Sequence, residues 1–121
     1  MYEFLYICPT NYLVMQRLTP AEEQVMLRLW GLNEATVQEI INFYPLPKPA
    51  YNTTSTIVRI LERKGFIKHR KKGKGYIYLP KISKTEYRNY AANWLLENYF
   101  DCSNSEAIAY FQKAKQLDEL L

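Results

Sequence analysis

Among the stretches of the form Ser/Thr-x-x-Glu in this chain, three stand out as helix starts: Thr19-Pro20-Ala21-Glu22, Thr36-Val37-Gln38-Glu39 and Ser83-Lys84-Thr85-Glu86. In each, the hydroxyl and the glutamate three residues later can satisfy backbone N–H groups that a helix start leaves orphaned, so each marks a helix beginning. Pro20 at the first helical position strengthens the first of them. Val25, Met26, Leu29 and Trp30 follow at helical spacing, and Gly31 is expected to end the segment. The second box opens a short helix with Val37, Ile40, Ile41 and Tyr44 on its apolar stripe. Pro45, Pro47 and Pro49 forbid its continuation and impose an extended connector. A third helix runs from about Tyr51 through Asn52-Thr53-Thr54-Ser55-Thr56 into Ile57, Val58 and Leu61, ending in a glycine C-cap at Gly65.

After Gly65 the period changes from helical to alternating. Residues 66–71 read as a strand, Lys72-Gly73-Lys74-Gly75 as a flexible turn, and Tyr76-Ile77-Tyr78-Leu79 as the returning strand, stopped by Pro80. Three helices followed by a basic hairpin is the layout of a winged helix-turn-helix. The third box then starts a longer helix on which Tyr87, Tyr90, Ala91, Trp94, Leu95 and Tyr99 form one broad apolar face. A loop around Asp101 to Ser103 leads to a further helical segment with Ala107, Ile108 and Phe111, and Leu117 to Leu121 add a turn or two. The expected fold is mainly α with a small β-hairpin wing. Residues 1–17 form an N-terminal extension, 18–82 a winged helix-turn-helix DNA-binding domain, and 83–121 a helical dimerisation region.

Charge placement narrows the function. The chain carries +4 overall, yet Lys48 to Arg88 holds twelve Lys or Arg against only Glu62 and Glu86, a local +10 that leaves −6 for the remainder. A basic block inside an otherwise acidic chain is the footprint of a polyanion-binding face. With 121 residues, 48% of them apolar, the chain can bury a core, and no apolar run nears the roughly 20 residues that span a bilayer. Met1 to Met15 has no basic n-region and is interrupted by Glu3 and Pro9, which makes it a poor secretory signal and points to the cytoplasm. Cys8 and Cys102 have no metal or redox spacing and read as reduced thiols, and His69 is the only histidine. Neither a metal site, a cofactor nor a catalytic centre is expected from these residues, and no P-loop, G-x-G-x-x-G or G-x-S-x-G is present.

The third helix carries the candidate reader. Asn52, Thr56, Arg59 and Arg63 share one face, opposite Val58 and Leu61. Small hydroxyl and amide side chains near the helix start can sit deep in a major groove and bond base edges, while the two arginines reach phosphates. Five such residues in a row exceed what capping needs. On the hairpin, Lys68, His69, Arg70, Lys71, Lys72 and Lys74 surround two glycines, a cationic loop suited to the DNA backbone or a minor groove. The aromatic face after Ser83 calls for a partner, and a two-fold homodimer would supply one. Two other readings fit the same basic face: a winged helix that docks an acidic protein, and one that binds RNA.

These residues resemble the penicillinase-repressor family, the BlaI/MecI/CopY group of bacterial transcriptional repressors. The likeness rests on Leu18-Thr19-Pro20-Ala21-Glu22-Glu23, Ala50-Tyr51-Asn52-Thr53-Thr54-Ser55-Thr56, Leu61-Glu62-Arg63-Lys64-Gly65-Phe66-Ile67, Tyr76-Ile77-Tyr78-Leu79-Pro80 and Ser83-Lys84-Thr85-Glu86-Tyr87. It implies a homodimer on an inverted-repeat operator in double-stranded DNA, with Asn52, Thr53, Ser55 and Thr56 facing the groove. With the charge pattern, the DNA-binding set becomes Tyr51, Asn52, Thr53, Ser55, Thr56, Arg59, Arg63, Arg70, Lys72 and Lys74. The dimerisation set is Tyr87, Tyr90, Ala91, Trp94, Leu95, Tyr99, Ile108 and Phe111. The resemblance also implies relief through a membrane-bound sensor metalloprotease, with the cleaved bond at Tyr110-Phe111, where tyrosine replaces the family's asparagine. The Cys-x-Cys pair of the copper-responsive branch is missing, since only Cys102 lies in that region.

Met15-Gln16-Arg17-Leu18 looks like a family start. Residues 1–14 therefore read as an extension foreign to the fold, from a start codon upstream of the real one. The other reading makes them an arm or strand built on Tyr2, Phe4, Leu5 and Tyr6.

Overall fold

The computed structural model describes residues 15–120, so the expected arm or upstream extension at residues 1–14 lies outside the described residues. The elements are α1 (Pro20–Leu32), α2 (Val37–Asn42), α3 (Tyr51–Arg63), β1 (Ile67–Lys72), β2 (Gly75–Pro80), α4 (Lys84–Tyr99) and α5 (Asn104–Leu120). Among the described residues, no helix is long and apolar enough to cross a membrane. Two compact units emerge: one is Gln16–Tyr87, and the other takes up the described chain from Arg88 onward.

In the first unit, the caps form as the sequence dictates. Thr19 accepts a hydrogen bond from the Glu22 N–H at 3.2 Å, and the Glu22 carboxylate accepts one from the Thr19 N–H at 2.9 Å. Thr36 and Glu39 repeat the exchange, with the Thr36 hydroxyl accepting at 3.2 Å and the Glu39 carboxylate at 2.8 Å. The first helix differs from expectation at its end. It passes through Gly31 to Leu32 and closes at Asn33, whose φ of 71° sends its N–H back to the Leu29 carbonyl. Asparagine tolerates this left-handed turn, so the glycine was not needed for it. Gly65 does fill the role expected of it. At φ 86° it donates to the Glu62 carbonyl while Phe66 donates to Leu61, at 3.1 and 2.9 Å. This paired pattern is a Schellman closure, and it drives Phe66 into the core directly after α3.

The core of this unit is made by Val25, Met26 and Leu29 of α1, Ile40 of α2, Val58 and Leu61 of α3, and Phe66 and Ile67, all almost free of solvent. Each such side chain contributes roughly 1.5–3 kcal/mol of burial. Glu22 and Lys64 add a link between α1 and the end of α3, with both carboxylate oxygens 2.9 Å from the ammonium. Burial pushes the Glu22 carboxyl up, but Lys64 and the Thr19 cap outweigh it and hold the group below the usual carboxylate range.

β1 and β2 pair antiparallel, from Ile67↔Pro80 to Lys72↔Gly75. The turn is tighter than the four residues expected: Gly73 and Lys74 alone make it, with Gly73 at φ 60°. A single positive φ at the first central residue matches the twist of the flanking strands. A third, one-residue strand completes the wing. Ala35 and Tyr78 exchange hydrogen bonds of 3.0 and 2.8 Å, fixing the hairpin to the α1–α2 link.

Tyr87 requires a correction. It was expected on the dimerisation face, yet it is 7% exposed and belongs to the core of the first unit. Its ring lies 5.9 Å from Trp30 and 5.8 Å from Phe66, and its phenol oxygen accepts the buried Leu18 N–H at 3.0 Å. Trp30 donates from Nε1 to the Ile82 carbonyl at 2.9 Å, so the chain after the wing is held at two points. Tyr87→Phe keeps the ring and strands the Leu18 N–H. Urea denaturation should show a loss of about 1–3 kcal/mol.

Candidate nucleic-acid interface

The start of α3 is polar for a reason other than capping. Its N-cap is Ala50, which makes no side-chain cap bond, and no acidic residue stands in its first turn. Only Thr54 of the polar run is buried, its hydroxyl donating back to the Ala50 carbonyl at 3.1 Å. Asn52, Thr53 and Thr56 are exposed, Ser55 is half-buried, and Tyr51 is 54% exposed. Arg59 and Arg63 continue that exposed face, while Val58 and Leu61 point inward as the spacing required. The Thr56 hydroxyl donates to the Asn52 carbonyl at 2.9 Å, which leaves its oxygen free to accept. Arg59 folds back along the helix, with Nε 3.4 Å from the Ser55 carbonyl and Nη2 3.2 Å from the Ser55 hydroxyl.

Strand register sorts the wing. His69↔Tyr78 and Lys71↔Tyr76 share one face, and Lys68↔Leu79 and Arg70↔Ile77 share the other. Lys68, Lys71, Lys72 and Lys74 are all exposed. Arg70 differs from its expected role, because its guanidinium is already engaged by Glu34 in a two-pronged contact of 2.9 and 3.0 Å. That guanidinium holds the Glu34 carboxyl below its ordinary range. A planar fork suits such a bidentate grip, which clamps the wing to the α1–α2 link instead of leaving a free cation.

Between α3 and the wing runs a groove of about 410 Å³. Tyr51, Ser55 and Arg59 line one wall, Lys74, Tyr76 and Tyr78 the other, and the start of α2 closes it. Burial pushes the Tyr78 phenol up, with Glu62 adding to the effect, so its hydroxyl keeps its proton. Sequence reasoning missed the groove. The N-cap Thr36 and Gln38 of α2 line it, and their only signal was a capping box that reads as purely structural.

The second unit is built from α4 beyond Arg88 and from α5. The helices are joined through Asp101 and Cys102, both at positive φ, and the Cys102 N–H donates to the Leu96 carbonyl at 2.8 Å. Ser103 caps the next helix by accepting from the Glu106 N–H at 3.1 Å. Tyr90, Trp94 and Leu95 are half-buried and Ala91 is exposed. Tyr99, Ile108, Tyr110 and Phe111 are all more than half exposed, between 51% and 67%. Phe100, which the sequence reading passed over, gathers Tyr110 and Phe111 at ring separations of 5.6 and 5.8 Å. With Leu95 and Tyr99 these rings border an apolar groove of about 390 Å³. The Tyr110-Phe111 bond lies inside α5, not in a loop.

Comparison with known proteins agrees with this geometry. Residues 18–120 match the family model described as penicillinase repressor. The penicillinase repressor of Bacillus licheniformis is 25% identical over 104 residues, which cover 84% of this chain and 80% of that protein. The solution structure of the Bacillus licheniformis BlaI monomeric form in complex with the blaP half-operator aligns at 26% identity with a TM-score of 0.51. That alignment covers 60% of this chain and 90% of the BlaI chain. A match that takes in both units and all seven elements leads to one conclusion: the chain belongs to the penicillinase repressor family.

Proposed function

We propose that this protein is a winged-helix transcriptional repressor that binds an inverted-repeat operator in double-stranded DNA as a homodimer. The observation that carries the reading is the exposed, uncapped polar start of α3 beside a wing of exposed lysines. Asn52, Thr53, Ser55 and Thr56 read base edges, and Tyr51 borders them. Arg59, Arg63, Lys72 and Lys74 neutralise phosphates, and Arg70 joins them only by exchanging Glu34 for a phosphate. The likeness to BlaI, whose solution structure holds a half-operator, supports the same orientation of chemistry. Sequence is read through the groove contacts, and affinity comes from released counterions.

Dimerisation falls to the second unit. Tyr99, Ile108 and Phe111 offer an apolar surface that a second copy covers by two-fold symmetry, with Tyr90, Ala91, Trp94 and Leu95 beside it. Two readers then engage half-sites about one helical turn apart or a multiple of it. Relief would come from a membrane-bound sensor protease acting at Tyr110-Phe111. Because that bond is helical, cleavage requires local unwinding of α5, which makes the opening of this helix the controlling step. The protein works in the cytoplasm, where its DNA lies.

Thr56→Ala should weaken binding to a self-selected genomic operator fragment by about 1–3 kcal/mol and leave random duplex almost unchanged. Equal losses on both would remove Thr56 from base reading. Lys72→Ala and Lys74→Ala should each lower the salt dependence of binding by roughly one unit of slope, measured by anisotropy titrations across salt concentrations. Phe111→Asp should shift the protein toward monomer in sedimentation equilibrium, and an intact dimer would reassign that face. A protein that ignores duplex DNA in dilute buffer would overturn the whole reading.

A further inference from the structure

α3 and the wing together carry a single acidic residue, Glu62, and the chain carries a single histidine, His69. The fold brings them together: the His69 Nδ1 meets a Glu62 carboxylate oxygen, joining the wing to the last turn of α3. Neither is sequestered, since the side chains are 44% and 31% exposed. The imidazole also stands edge-on to Tyr76 at 4.9 Å and lies 6.1 Å from Tyr78, and both tyrosines border the groove that Arg59 enters. The groups that face His69 are therefore Glu62 from α3 and the phenols of Tyr76 and Tyr78 from β2, with Lys71 on its own face of β1.

We propose that Glu62 and His69 form a proton-linked determinant of DNA affinity, in which protonated His69 silences the one carboxylate of the reading face. With the imidazole neutral, Glu62 presents an uncompensated negative charge beside Arg63 and one turn from Arg59, where it repels the phosphate backbone. With the imidazole protonated, the pair is neutral and the arginines act unopposed. A polyanion favours the cation, so DNA binding draws a proton onto the ring. The sign follows by linkage. A group that holds its proton more tightly in the complex than in the free protein strengthens binding at low pH, and that gain disappears as pH rises. Histidine is the side chain suited to this between pH 5 and 8.

The inference rests on DNA binding by this face, and the test separates the two. Full-length protein is titrated with a genomic fragment it has itself selected and with a random duplex, at fixed salt, from pH 6 to 8. Wild type should bind about tenfold more tightly at pH 6 than at pH 8, with a slope of at most one proton per protomer. His69→Gln should flatten that slope at the weaker, high-pH affinity. Glu62→Gln should bind more tightly than wild type at pH 8, a gain that loss of folding cannot imitate. A slope unchanged in His69→Gln, or no gain at pH 8 in Glu62→Gln, overturns the proposal while leaving DNA binding intact. No binding at any pH overturns the underlying reading and this proposal together.

Discussion

Two hydrogen bonds between Ala35 and Tyr78 decide whether this molecule has a usable reading face. A lone two-stranded hairpin is marginal in water, and this one exposes every residue of β1 after Ile67. Docking Tyr78 onto the α1–α2 link gives the hairpin a third strand and carries Ile77 into the core at 5% exposure. Glu34 then grips Arg70 from the neighbouring residue, and Glu62 meets His69 from α3. The wing is thus fixed at three places along its length. The groove between it and α3 has a set width because of them, and only the tip around Gly73 stands clear.

The same arrangement divides the cations by task. Lys64 is consumed by Glu22 inside the fold and Arg70 by Glu34 at its edge. Arg59, Arg63 and the lysines of the wing remain for a polyanion. A count of basic residues overstates the face, since part of that charge holds the scaffold together. Ion pairs at an exposed edge contribute little to stability, and their value here is in fixing geometry.

Most of the fold was legible because its signals are local. The capping boxes at Thr19, Thr36 and Ser83, the glycine at 65 and the change of period after it each act within a few residues. The uncapped polar start of α3 was legible too, as a run too rich in hydroxyls for its structural need. What stayed hidden depends on contacts across long sequence separations. Tyr87 is 69 residues from the Leu18 N–H it satisfies, so its helical spacing placed it with the aromatic face while its hydrogen bond placed it in the core. Arg70 is 36 residues from Glu34, and nothing near it signalled that its charge was spoken for. The one-residue strand at Ala35 has no period to read. Phe100 lay at a helix end where spacing arguments stop.

The claim on which the rest stands is that the start of α3 and the wing together meet a DNA duplex. Backbone amide shifts recorded while a short self-selected duplex is titrated into labelled protein test it most directly. The account predicts large changes at Asn52 to Thr56 and at Lys72 to Gly75, with the amides of α5 nearly still. Changes concentrated on α5, with the start of α3 unmoved, would contradict it.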